Sequence, residues 1–419
     1  MHNKIYLSLA HMSGQEQKYI QQAFDTNWVV PLGPNVDGFE ESIRQYLGTD
    51  KEVVALSSGT AAVHLSLLMC GVRPGDEVIV QSFTFCASAH PVTYLGAVPV
   101  FVDSEEETWN MDPALLEKAI IDRIATTGKA PRAIVAVHLY GMPCKMNEIC
   151  AIAARYGIPV VEDSAESLGS RYDGKMCGTF GRYGVFSFNG NKMITTSGGG
   201  ALICPDKETK HEIMYYATQA REGYPYYQHE HIGYNYRMSN ICAGIGRGQM
   251  TVLQQHLDHH RHICNMYAEA FADVKGITVH TNPTDTYDSN FWLTTLLLDE
   301  DLHVKGEDKA YSAPFTTVIG GTPGYPHFPS DSHTSCEPNV NVEAMRLYLD
   351  AAGIESRPLW KPMHLQPVYQ HNPSYVNGIS ESLFRRGICL PSGPCVTDEE
   401  VRYIISTVLS QADGLNSKL

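Results

Sequence analysis

Five short apolar runs constrain this chain more than any other feature. They are Val53-Val54-Ala55-Leu56, Glu77-Val78-Ile79-Val80, Val98-Pro99-Val100-Phe101-Val102-Asp103, Ala133-Ile134-Val135-Ala136-Val137-His138 and Pro159-Val160-Val161-Glu162-Asp163. Each is too short for a helix and too uniformly apolar for a strand with one wet face. Helical patterns at 61–70 and 88–95 separate them, so they predict a mostly parallel sheet covered on both faces. A helix start is expected at 13–19, with Ser13 as N-cap and Glu16 closing a capping box.

The texture changes after Arg237. Residues 239–274 read as one long, bent helical stretch, 291–298 as a strand, 342–352 as a helix closed by Gly353, and 398–411 as the last helix. Residues 306–340 collect Gly, Pro, Ser and Thr, notably Gly320-Gly321-Thr322-Pro323-Gly324-Tyr325-Pro326-His327-Phe328-Pro329, which is the composition of a long irregular insertion. The expected division is a large α/β domain over 1–250 and a smaller α+β domain over 251–419.

Bulk properties exclude several classes. A hydrophobic content of 43% supports a large core. A net charge of -15 argues against a nucleic-acid surface. No uncharged apolar stretch is long enough for a bilayer span, and the first residues lack the apolar core of a signal peptide. The eleven cysteines contain no Cys-x-x-Cys pair and read as reduced thiols. Cytoplasmic location is the expectation.

The chemistry is concentrated in two segments. Asp163 ends a buried run, and open α/β sheets bind ligands at the carboxyl ends of their strands. A carboxylate there, facing a pyridine nitrogen, would keep that nitrogen protonated, as a pyridoxal-phosphate (PLP) ring requires to act as an electron sink. Downstream lies Gly184-Val185-Phe186-Ser187-Phe188-Asn189-Gly190-Asn191-Lys192, followed by Ser197-Gly198-Gly199-Gly200. A lysine among small and apolar residues is desolvated, which makes its amine a usable nucleophile for carrying a carbonyl cofactor as an imine. Ser58-Gly59-Thr60 joins a strand to a helix and offers backbone N–H groups and a hydroxyl to a phosphate, with Ser187 a further hydroxyl. Phe85, in Ser82-Phe83-Thr84-Phe85-Cys86-Ala87 just past a strand end, can stack on a flat ring. His256, His259, His260 and His262 cluster on one helix, and His256/His260 have metal-ligand spacing. The preferred reading is a solvated face with no metal.

In these motifs the chain resembles the DegT/DnrJ/EryC1/StrS sugar aminotransferases, PLP-dependent enzymes of fold type I with a seven-stranded, mostly parallel sheet. The resemblance runs from Asn27-Trp28-Val29-Val30-Pro31-Leu32-Gly33-Pro34 to Pro391-Ser392-Gly393, and is most specific in Glu162-Asp163-Ser164-Ala165-Glu166-Ser167-Leu168-Gly169 and Ser187-Phe188-Asn189-Gly190-Asn191-Lys192. It implies that Lys192 holds the cofactor and shuttles protons and that Asp163 pairs with the ring nitrogen. Phe85 would stack on the ring, and Gly59, Thr60 and Ser187 would hold the phosphate. Glu166 would lie near the ring hydroxyl, where many relatives have Gln or His. Asn235 would reach the phosphate of a partner subunit, so the resemblance implies a homodimer with shared sites. Related sugar dehydratases replace the lysine by His; Lys192 is present, which favours transamination. Arg357-Pro358-Leu359-Trp360-Lys361-Pro362-Met363-His364 resembles members acting on UDP-linked 4-keto-6-deoxy-N-acetylhexosamines. That suggests Arg357, Lys361, His364 and Trp28 as substrate contacts, L-glutamate as donor, and a ping-pong reaction through pyridoxamine phosphate. A C3 aminotransferase, a dehydratase or cyclitol aminotransferase, and a non-catalytic regulator binding PLP or a sugar nucleotide remain as alternatives.

Overall fold

The computed structural model describes residues 4–311 and 336–412. The Gly/Pro run at 320–329 lies outside them. The strands are β1 (Glu52–Leu56), β2 (Glu77–Gln81), β3 (Val98–Val102), β4 (Ala133–Val137), β5 (Val160–Asp163), β6 (Arg171–Tyr172), β7 (Lys175–Met176), β8 (Tyr183–Ser187), β9 (Gly200–Cys204), β10 (Ile277–Val279), β11 (Tyr287–Asp288), β12 (Thr294–Leu298), β13 (Arg357–Pro358), β14 (Ser374–Tyr375) and β15 (Gly387–Leu390).

The large sheet has the order β1-β9-β8-β5-β4-β2-β3-β14. The pairings from β8 through β14 are parallel, and β9 runs antiparallel to β8 and β1. All five residues of β4 are buried, as the uninterrupted apolar run requires when helices cover both faces. Helices Gly59–Met69 and His90–Tyr94 belong to one covering layer, Pro113–Thr127 and Met146–Tyr156 to the other. The expected seven-stranded sheet is corrected to eight. The additional member, β14, comes from the C-terminal third and adds only two residues at the β3 edge, too short to show periodicity in the sequence.

A second, antiparallel sheet, β10-β12-β15-β13, packs under helices Leu253–Phe271, Val340–Ala351 and Asp398–Gln411 around Tyr267, Leu298, Met345, Ile388 and Ile404. Chain segments cross the expected boundary at residue 250 in both directions. Ile5 bridges to Ile354 and joins this second core, while β14 joins the first sheet.

Other elements differ in detail from the sequence reading. The first helix spans Glu16–Asp25, and Ser13 is not its N-cap. The Glu16 carboxylate does fold back to accept from Ser13 N, but Ser13 Oγ accepts from Gln15 N, ahead of the helix. The stretch 239–274 is two helices, Asn240–Met250 and Leu253–Phe271, because Thr251 ends the first by donating its hydroxyl to the Gly248 carbonyl. The stretch 88–95 opens as a 3-10 turn, Cys86–Ser88, before helix His90–Tyr94. The strand expected at 291–298 begins only at Thr294, since Phe291 has φ 47°.

One close approach fixes β8. A Cβ placed on Gly184 would overlap the backbone carbonyl of Gly178. Gly184→Ala is therefore expected to cost about 2–3 kcal/mol or more by overpacking, because the clash is with backbone and no rotamer relieves it. Calorimetry should show a Tm lowered by several degrees.

Candidate active site

The carboxyl ends of β4, β5 and β8 and the start of helix Gly59–Met69 converge on one region. β5 delivers Asp163, which is 5% exposed. Its Oδ2 accepts from Ser88 Oγ at 2.6 Å and its Oδ1 from Ala165 N at 3.1 Å. Ser88 Oγ also contacts Thr84 Oγ1 at 2.8 Å. Among the described residues no Lys, Arg or His forms an ion pair with Asp163. A buried carboxylate held only by neutral donors is poised for a cationic partner from outside the chain.

Lys192 lies in the loop between β8 and β9, its side chain 12% exposed. Its Nζ donates to Glu166 Oε1 at 3.1 Å and sits 4.1 Å above the Trp292 ring. Glu166 Oε2 accepts from Tyr140 N at 2.7 Å. Burial raises the Glu166 carboxyl above its usual range, against the opposing pull of the Lys192 ammonium. Tyr140 has φ 53° and ψ 18°, the left-handed region that a bulky residue rarely adopts, and its hydroxyl accepts from Trp360 N at 2.9 Å.

The helix Gly59–Met69 is capped by Ser58, whose hydroxyl accepts from Ala61 N. That leaves the Gly59 and Thr60 amides without an intramolecular partner among the described residues, at the positive end of the helix. Ser187, the last residue of β8, lies alongside: a Cβ on Gly59 would sit 3.0 Å from Ser187 Cβ. A Cβ on Gly200 would strike the backbone of Ser58 and Gly59. Glycine at both positions keeps this anion cradle open and close to the sheet.

The structure thus brings together Asp163, Glu166 and Lys192, and separately Gly59, Thr60 and Ser187. Phe85, 53% exposed, has its ring 5.3 Å from Trp360. It shares with Thr84, Cys86, His90, Lys361 and Gln366 the wall of a cavity of about 390 Å³. Lys361 Nζ donates to the Cys336 carbonyl. His364 is tied to Ser82, with Nδ1 2.6 Å from its hydroxyl. Arg357 pairs with Glu355 at 3.0 Å. Trp28 is 39% exposed ahead of helix Pro34–Leu47, and Asn235 is exposed and bridged to Thr218. Trp28, Asn235, Arg357 and His364 make no hydrogen bond or ring contact with Lys192, Asp163 or Glu166 among the described residues. Sequence reasoning passed over Ser88, Tyr140, Trp292 and Trp360. Ser88, directly after the Phe85 motif, was within reach of the sequence; the aromatics reach the site only through tertiary folding.

The histidine face is corrected. His256 and His260 are 2% and 0% exposed and face inward, toward Met193 and Phe291, whereas His262 is exposed and pairs with Asp398 at 3.0 Å. Among the described residues no group of three His, Cys, Asp or Glu is arranged to hold a metal.

A doubly covered, mostly parallel sheet, a buried carboxylate at a strand end, a lysine held by a second buried carboxylate and an open helix N-terminus define a fold type I transferase. The chain belongs to the DegT/DnrJ/EryC1/StrS aminotransferase family, whose model matches residues 10–327 and 325–409. It is 44% identical, over 98% of its length and 96% of the relative's, to EpsN of Bacillus subtilis strain 168, which is provisionally assigned as a pyridoxal phosphate-dependent aminotransferase. It is 33% identical to a GDP-perosamine synthase of Escherichia coli O157:H7, with 95% of each chain covered. Among solved structures, the PLP form of Spr1654 of Streptococcus pneumoniae, provisionally assigned as a sugar aminotransferase, superposes with a TM-score of 0.80 at 26% identity over 97% of both chains. The same protein is also known in its PMP form. Among the described residues no helix is long and apolar enough to cross a membrane, and all eleven cysteines are free thiols.

Proposed function

We propose that this chain uses pyridoxal 5'-phosphate to move an amino group from L-glutamate to the 4-keto carbon of a nucleotide-linked 4-keto-6-deoxy-N-acetylhexosamine. The observation that carries the reading is the pairing of a lysine held by Glu166 at 3.1 Å with a buried Asp163 that has no cationic partner among the described residues. The residues fit the cofactor. Lys192 would bear it, Asp163 would hold its ring nitrogen protonated, and the Gly59 and Thr60 amides with the Thr60 and Ser187 hydroxyls would receive its phosphate. Phe85 would cover one ring face. Bound pyridoxal phosphate supplies the electron sink that amino-group transfer needs.

The protein's own groups then divide the work. Lys192 Nζ takes the proton from the α-carbon of the donor and, in the second half-reaction, delivers one to the sugar carbon. Glu166 Oε1 aims that nitrogen and shares its proton. Trp292 lies under the amine, and Trp360 lines the cavity beside Phe85. Lys361, on the wall of the cavity beside Phe85, is placed for the anionic part of a sugar nucleotide. Arg357, His364 and Trp28 are assigned to the outer substrate surface. The active unit is a homodimer in which Asn235 reaches the partner's cofactor phosphate. In support, Asn235 is exposed on one chain and follows Tyr224, Tyr226, Tyr227 and Ile232, all exposed large side chains of the kind a subunit contact covers.

Purified protein loaded with PLP should form 2-oxoglutarate from L-glutamate with the UDP-linked 4-keto-6-deoxy-N-acetyl sugar. It should do so at least about tenfold faster, in kcat/KM, than with a 3-keto or GDP-linked counterpart. Turnover restricted to the 3-keto sugar would overturn the substrate assignment, and turnover restricted to the GDP-linked 4-keto sugar would overturn the preference for UDP. No turnover with any keto sugar would overturn the activity.

A further inference from the structure

The inward-facing histidines have an evident task. His256 Nδ1 lies 3.0 Å from the carbonyl oxygen of Met193, the residue directly after Lys192. A carbonyl only accepts, so Nδ1 carries the hydrogen. A neutral ring then leaves Nε2 bare. Nε2 is 3.1 Å from His11 Nδ1, which must therefore donate to it. His11 is anchored in turn: its carbonyl accepts from Gln249 Nε2 at 2.8 Å, and Gln249 Oε1 accepts from Thr195 N at 3.3 Å. On the other side of the lysine, the Asn191 carbonyl accepts from Trp292 Nε1 at 2.7 Å and from Ser8 Oγ at 3.0 Å. The carbonyls immediately before and after Lys192 are thus both gripped by side chains from outside the loop, one of them, Ser8, from the N-terminal segment.

We propose that His256, oriented by His11, is a positioning residue for Lys192: it fixes the peptide on the C-terminal side of the lysine so that the amine swings from a rigid base. This rests on the reading of Lys192 given above. It accounts for a His-rich helix face without a metal. Burial lowers His256 below the ordinary histidine range, which favours the neutral ring, and the Nδ1–H donation to Met193 is available in either charge state. The titratable groups facing the ring are His11 and Glu16 from the N-terminal segment and His259 on its own helix; from the lysine loop it meets the Met193 carbonyl.

The test compares His256→Leu with His256→Asn. The asparagine amide can still donate toward Met193; leucine cannot. In cofactor-free protein, hydrogen exchange over residues 189–197 should speed up at least about tenfold in His256→Leu and stay within about threefold of the parent in His256→Asn. In the same pair, the rate of PLP uptake and kcat should fall about tenfold for leucine with KM for glutamate within threefold, and asparagine should recover both. Unchanged exchange in His256→Leu would overturn the proposal. So would an asparagine variant no better than leucine, with kcat and Tm falling together, which is the signature of a merely structural residue. Because exchange is read without cofactor or substrate, a failure of the aminotransferase reading would appear as an inactive parent protein with the clamp intact.

Discussion

Replacing Lys192 by alanine is expected to reduce amino transfer by at least about 10⁴-fold, because one side chain supplies both the covalent attachment and the proton shuttle. The local electrostatics make the experiment cleaner than usual. Glu166 is 5% exposed and has Lys192 as its cationic partner at 3.1 Å. Without the ammonium, a buried carboxylate would stand alone, which would ordinarily be costly. Burial already raises the Glu166 carboxyl. It would therefore take up a proton and keep its bond from Tyr140 N, and the fold should survive. Lys192→Arg retains the charge beside Glu166 and should match the parent in Tm while remaining inactive. Coupled assay of 2-oxoglutarate and differential scanning calorimetry on both variants check this. Residual activity within about tenfold of the parent would remove Lys192 from its assigned role.

The second large effect is expected at Asp163. Asparagine is nearly isosteric, so Asp163→Asn isolates the charge. The Ser88 hydroxyl now donates to Oδ2 but can turn toward Thr84 Oγ1, 2.8 Å away, and accept from the new amide instead. The neighbourhood should thus remain satisfied, with Tm within a few degrees of the parent. The catalytic loss should nevertheless be large. Breaking a buried charge pair by removing one partner costs about 3–5 kcal/mol, which corresponds to about 10²–10⁴ in rate when the pair is needed in the transition state. The loss should appear in kcat more than in KM for glutamate. An asparagine variant retaining a tenth or more of parental kcat would show that the ring nitrogen is held by some other group.

The parts of this protein that were legible from its residues are those specified locally. A buried parallel strand must be apolar throughout, so β1 to β5 stood out, and Asp163 was visible as a carboxylate at the end of such a run. Ser58-Gly59-Thr60 announced a helix start because capping is a matter of adjacent residues. Lys192 was recognisable among its small neighbours. What escaped depends on chain segments meeting. Trp292 comes under Lys192 from 100 residues downstream, and Trp360 meets Tyr140 from 220 residues away. The left-handed backbone of Tyr140, which turns its N–H toward Glu166, leaves no mark in composition. The histidine face was misread for the same reason. Helical spacing shows which residues share a side, but the side that faces inward was set by the loop around Met193 and by the N-terminal segment. The break at Thr251 was hidden because the helical periodicity resumes in register at Leu253.

The two-residue strand β14 has a consequence for how this enzyme can be taken apart or recombined. Phe101 N donates to the Pro373 carbonyl and Asp103 N to the Tyr375 carbonyl, while the Asp103 carboxylate receives the amides of Asn377, Gly378 and Ser380 at the start of helix Ile379–Arg386. The C-terminal third is thereby stitched along the rim of the large sheet. A chain truncated near residue 250 would leave β3 as a bare edge with a buried acid that keeps the Ser104 amide but loses the other three, an invitation to strand-to-strand aggregation. For the same reason, a C-terminal half borrowed from a relative could be grafted here only if it brought its own replacement for those three amides.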